Sequence, residues 1–150
     1  MKMRRRILSL FLCFIMCLPM MPSAAIAAIT PYEVWVNGEQ FTSDKLTIQC
    51  GSGTATLDVT KGPYMLTLDN AEITKGGDSD SASIMSIEPL NINVVGTNKV
   101  TSDTNTGIEV NGNLAILGTG ELIVNGGFCG IDVSKDLYLS GSCDVSVHAD

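Results

Sequence analysis

The chain has 150 residues, with nine Lys and Arg against sixteen Asp and Glu, a net charge of −7 and one histidine. Four of the positive charges lie in the first six residues, MKMRRR, so the remainder keeps five lysines and no arginine and sits near −11. An acidic chain without arginine argues against nucleic acid and anionic lipid as partners, because both need cationic contacts to phosphate.

The basic start leads into an apolar run, Ile7 to Met21, and then into small residues ending Ala25-Ile26-Ala27. Basic, apolar, then A-x-A is the order of an export signal peptide, with cleavage expected after Ala27. The run is shorter than the roughly 20 residues a bilayer-spanning helix needs and carries Pro19 near its end. Neither Cys13 nor Cys17 follows a small residue, which argues against a lipid attachment site. The expected destination is secretion or the cell surface, with no membrane partner once the leader is removed. Three cysteines remain beyond it, Cys50, Cys129 and Cys143, without a CxxC spacing, so a zinc site is not expected.

Residues 28–60 contain two alternating stretches, YEVWVNGEQF and TATLDV, which predict strands with one buried face. They fit no repeat and are expected to cap the N-terminal end of a periodic region. Lys61-Gly62-Pro63 turns into Tyr64-Met65-Leu66, and from there to Asp150 the sequence is periodic. Ile108 and Val110 recur as Ile131 and Val133, an offset of 23, and the same step upstream reaches Met85 and Ile87. A second column runs Leu66, Leu90, Leu114, Leu137, with Leu68, Ile92, Ile116, Leu139 two residues on. A third runs Val100, Leu122, Val145, introduced by Gly96, Gly118 and Gly141. Within each period apolar and polar residues alternate, and Gly and Asn mark the joints.

Three short strands and three bends in about 23 residues describe one coil of a parallel β-helix. The predicted fold is therefore all-β: a right-handed parallel β-helix with an N-terminal β cap, its hand taken from the usual chirality of parallel crossovers. A leucine-rich repeat would need the LxxLxLxxN pattern, and a β-sandwich would not produce columns one period apart. The sequence stops after the alternating stretch Val145 to Asp150, in mid-coil. A solenoid cut there exposes its last apolar layer, so further coils of a longer parent protein are expected.

The phrases TLDNAEI, LNINVVGTNKV and GNLAILGTGELIVNG, behind CGSGTATLD, resemble a bacterial family of secreted, cell-surface proteins labelled carbohydrate-binding domain-containing. The resemblance spans about Tyr32 to Asp150. It implies a β-helix-like repeat and glycan binding, and it carries no set of binding residues across.

Stacking the columns identifies candidate sites. Glu109 falls beside Asp132 on the next coil, with Ser86 on the other side; Glu121 and Asp144 form a second acidic pair in a series Glu72, Lys99, Glu121, Asp144. Adjacent carboxylates can share a calcium ion, which takes several oxygen ligands. Asp78 and Asp80, in GGDSDS, are the other calcium candidates, although position 12 of an EF-hand counted from Asp78 is Pro89. No other cofactor is expected. For a glycan, the candidates are the outward aromatics Trp35 and Tyr138, the latter beside Ala115 and Asn91. A single histidine, His148, supports no catalytic triad, and acids on adjacent rungs suit neither separation used by glycoside hydrolases. The expected role is a non-catalytic module that binds polysaccharide or cell-surface glycan. A structural stalk or adhesin repeat and a polysaccharide-degrading enzyme fragment are the alternatives.

Overall fold

A computed structural model describes residues 28–76 and 81–149. Residues 1–27, where the export signal is expected, and Asp78, Asp80 and Asp150 lie outside the described residues. Among those described there is no helix, and fifteen strands build three sheets that wrap a common core. The coiling expected from the repeat is present.

The chain enters through β1 (Pro31–Val36) and β2 (Glu39–Thr42), an antiparallel hairpin. Its turn is Asn37-Gly38, both with positive φ (53° and 82°), the backbone a two-residue hairpin turn demands. A second antiparallel pair follows, β3 (Thr47–Cys50) and β4 (Gly53–Asp58). Then β5 (Tyr64–Asp69) and β6 (Glu72–Ile73) start the stack.

Three coils of three strands continue it. They are β7 (Ile84–Ser86), β8 (Leu90–Val95) and β9 (Thr97–Ser102); β10 (Ile108–Val110), β11 (Leu114–Gly118) and β12 (Glu121–Gly126); and β13 (Ile131–Val133), β14 (Leu137–Leu139) and β15 (Asp144–Ala149). Each strand pairs in parallel with its equivalent one coil away. The first face runs β13-β10-β7-β1-β2, the second β14-β11-β8-β5-β4-β3, and the third β15-β12-β9-β6. The entry strands join antiparallel, β1 onto β7 and β4 onto β5. The early edge of the first two faces is thereby paired.

Alternation sends one side of every strand inward. Ile84 and Ile108 meet on the first face, Leu90, Ile92, Leu114 and Ile116 on the second, and Val100, Leu122 and Val124 on the third, all fully buried. Fully burying one such side chain contributes about 1.5–3 kcal/mol. In the last coil the inward Leu137 and Leu139 continue the columns of Leu114 and Ile116, yet stand exposed because no described strand lies beyond them.

Register corrects the columns in three places. From the β7–β9 coil to the next, equivalent residues are 24 apart on every face (Ile84 to Ile108, Leu90 to Leu114, Val100 to Val124), and from there to the last coil 23. The step into the first complete coil is longer: Tyr64 pairs with Leu90 and Ile73 with Val100. The extra length lies in the connection 74–83, against 103–107 and 127–130 in later coils. Leu66 therefore lies beside Ile92 rather than Leu90; separately, the 24-residue step puts Val100 beside Val124 rather than Leu122. These slips of two residues keep the inward face. The third is a slip of one: Ile84 and Ser86, not Met85 and Ile87, stack under Ile108 and Val110, which turns Met85 and Ile87 outward.

Candidate functional site

Parallel stacking lines outward side chains into rows that cross the strands at about 4.8 Å per step. On the first face one row reads Gln40, Trp35, Met85, Glu109, Asp132. Trp35 and Met85 are half-buried, and Glu109 and Asp132 are exposed. Three of the predicted residues, Trp35, Glu109 and Asp132, thus share one row. The neighbour of Glu109 toward the hairpin is Met85 and not Ser86, because the one-residue slip carries Ser86 into the core. Glu33 and Ile87 lie beside the row on the same face. Glu33 precedes Trp35 by two residues on β1, and its carbonyl accepts a hydrogen bond from Ile87 N–H at 3.0 Å.

On the second face the row is Met65, Asn91, Ala115, Tyr138. Tyr138 points outward and is 53% exposed, and its hydroxyl donates to Asp136 Oδ2 at 3.3 Å. The Asp136 carboxylate pushes the phenol above its ordinary pKa. The small Ala115 separates Tyr138 from Asn91, so the two predicted residues stand two steps apart on an open surface. The fold therefore distributes Trp35, Asn91 and Tyr138 over two faces instead of gathering them.

On the third face Glu121 lies beside Asp144, and Glu72 beside Lys99. Lys99 does not fall beside Glu121, whose other neighbour is Thr97; Lys99 lies beside Ile123.

A concavity walled by aromatic side chains was not singled out by the repeat. It lies at the corner between the first two faces, with a volume of about 520 Å³, lined by Tyr32, Glu33, Pro63, Tyr64, Glu88 and Pro89 among others. That size is within the range of small-molecule sites. The two tyrosine rings meet edge to face, centroids 5.9 Å apart and planes at 76°, a favoured aromatic geometry. Both rings are half-buried against the core, so one side is braced and the other is available to the groove. Gln40 Nε2 donates to the Tyr32 carbonyl at 2.9 Å, holding the start of β1. Ser86 Oγ donates to the Glu88 carbonyl at 2.7 Å, holding the turn that carries Glu88 and Pro89. A signal for this groove does exist in the sequence: Pro31-Tyr32 and Pro63-Tyr64 are the same dipeptide, each at the start of a strand.

The carboxylates around the groove and the adjoining row are uncompensated. Among the described residues the one ion pair joins Lys45 to Glu39, away from the groove lining. Glu33, Glu88, Glu109 and Asp132 are all exposed.

For a metal, no three His, Cys, Asp or Glu side chains converge among the described residues. Glu109 and Asp132 alone supply fewer oxygens than the six to eight that calcium takes. As a nucleophile Cys50 offers little. Burial pushes the Cys50 thiol up to about 11, helped by the nearby charge of Glu39, which keeps it protonated and unreactive. Cys50, Cys129 and Cys143 are free.

Comparison of the chain with protein-family models, with curated proteins and with solved structures finds no match.

Proposed function

We propose that this chain is a non-catalytic, exported carbohydrate-binding module, and that the glycan rests in the groove at Tyr32 and Tyr64 and reaches Trp35 on the outward row of the first face. The observation that carries this reading is the braced edge-to-face tyrosine pair walling a groove rimmed by Glu33 and Glu88. A sugar ring presents apolar C–H groups on its faces and hydroxyl donors at its edge. Aromatic rings match the first, and ionised carboxylates accept strong hydrogen bonds from the second. Braced rings lose little freedom on binding, which favours affinity for a modest contact. The resemblance to secreted carbohydrate-binding proteins and the MKMRRR leader point the same way, toward a product outside the cell.

Retention of the protein on a panel of immobilised polysaccharides tests this, with and without calcium so that Glu109 and Asp132 are examined together. Retention on at least one polymer is expected. Trp35→Ala should weaken it about tenfold, in line with roughly 1–1.5 kcal/mol for an aromatic contact. Tyr138→Ala, on the other face, should leave it unchanged. Failure of every polymer to retain the folded protein, or equal retention of the wild type and Trp35→Ala, would refute the assignment.

A further inference from the structure

We infer that the ligand of this groove is a glycan bearing free, protonated amino groups, such as a de-N-acetylated hexosamine polymer, rather than a neutral one. The inference rests on the carbohydrate reading and narrows it. The groove presents Tyr32 and Tyr64, and the first face carries Trp35, Met85 and the 46%-exposed Ile87 at outward positions. Acids accompany both surfaces. Glu33 and Glu88 line the groove, and Glu109 and Asp132 extend the Trp35–Met85 row. None of these four carboxylates is paired with a cation or hydrogen-bonded among the described residues.

A ligand lying on the aromatic surface displaces water from beside those acids. With a neutral sugar, excluding water strengthens the repulsion between neighbouring carboxylates such as Glu109 and Asp132. An ammonium group on the sugar reverses the sign of that change, and it also packs favourably near the tyrosine and tryptophan faces. The row advances about 4.8 Å per coil, so Trp35 to Asp132 covers about 14 Å. A chain of several sugar units can therefore meet the aromatic and acidic parts together. The surplus of negative charge over the exported chain concentrates polycations near the surface before contact.

The experiment compares glucosamine oligomers with their N-acetylated counterparts by calorimetry, at a pH that protonates the amines and at low and high salt. The glucosamine oligomer should bind at least about tenfold more tightly at low salt, as two exposed ion pairs would provide. That advantage should shrink as salt shortens the screening length. The exposed double variant Glu33→Gln with Glu88→Gln should bring the two affinities together. Glu121→Gln with Asp144→Asn removes the same charge from the third face and should preserve the preference. Equal or tighter binding of the acetylated oligomer overturns the inference, as does a preference that survives loss of Glu33 and Glu88 or vanishes equally in the third-face variant. If a neutral polysaccharide is retained while neither oligomer binds, only this inference falls. If no polysaccharide is retained, the carbohydrate reading falls with it.

Discussion

Asn98 occupies an inward position on β9, where its neighbour on the next coil is Leu122, and it is fully buried. Its carbonyl oxygen accepts from Ala71 N–H at 2.8 Å, and its amide nitrogen donates to the Val95 carbonyl at 2.9 Å. One side chain thereby satisfies backbone groups at a corner on two coils, where the strand ladder is interrupted. A buried polar group left without its partner loses about 1–3 kcal/mol. Asn98→Ala orphans the buried Ala71 N–H, while the Val95 carbonyl keeps the Asn70 N–H at 3.2 Å, and should lower unfolding free energy by about 1–3 kcal/mol in urea titrations. A change within a few tenths would show that the corner rearranges without it. Alternation sets this asparagine apart from the outward Asn91 and Asn93, because it shares the parity of Val100, but the sequence does not show that the Ala71 N–H lies opposite its carbonyl oxygen. Tyr32 and Tyr64 are similar: thirty-two residues apart, they become one aromatic pair because β1 and β5 open at the same corner.

At the scale of strands, the columns were legible where coils have equal length and failed where they do not. The Ile108 to Ile131 and Leu114 to Leu137 matches stand because the last step is a uniform 23. The Leu66 column slipped because the connection 74–83 absorbs extra residues without disturbing the strands on either side. Loops on the outside of a solenoid tolerate insertion, so period alone cannot locate register across one. A two-residue error leaves the core list intact, since alternation is preserved. The one-residue error at Met85 changed the site, because it replaced a polar Ser86 with an apolar outward neighbour for Trp35 and Glu109. Corners are held by close backbone approach. Gly118 has φ +117° and stacks against the coil below, and a Cβ added there would lie 2.3 Å from the Val94 carbonyl oxygen. Gly141 repeats the contact one coil later, with a Cβ 2.7 Å from the Gly118 oxygen. Gly118→Val should therefore destabilise the protein by about 2–4 kcal/mol in the same titrations. A neutral result would contradict the stacking at this corner.

For the molecule as a whole, fold class came through clearly because a coil must repeat its apolar positions to share one core. Binding chemistry did not, because the proposed site draws single residues from several strands and no periodicity marks them. Only the charge balance and the outward aromatics hinted at it. Everything proposed for function depends on residues one coil apart lying side by side. Adjacent strands at about 4.8 Å put paired positions within the 4.4–6.8 Å span of a disulfide. The most direct measurement is therefore cross-linking of Glu109→Cys with Asp132→Cys, made with Cys129→Ser and Cys143→Ser so that the introduced thiols are the accessible ones. Mild oxidation should give an intramolecular disulfide within the monomer, seen by non-reducing electrophoresis and mass. Free thiols, or cross-links only between molecules, in a protein that remains folded would contradict the coil register and remove the basis of the site.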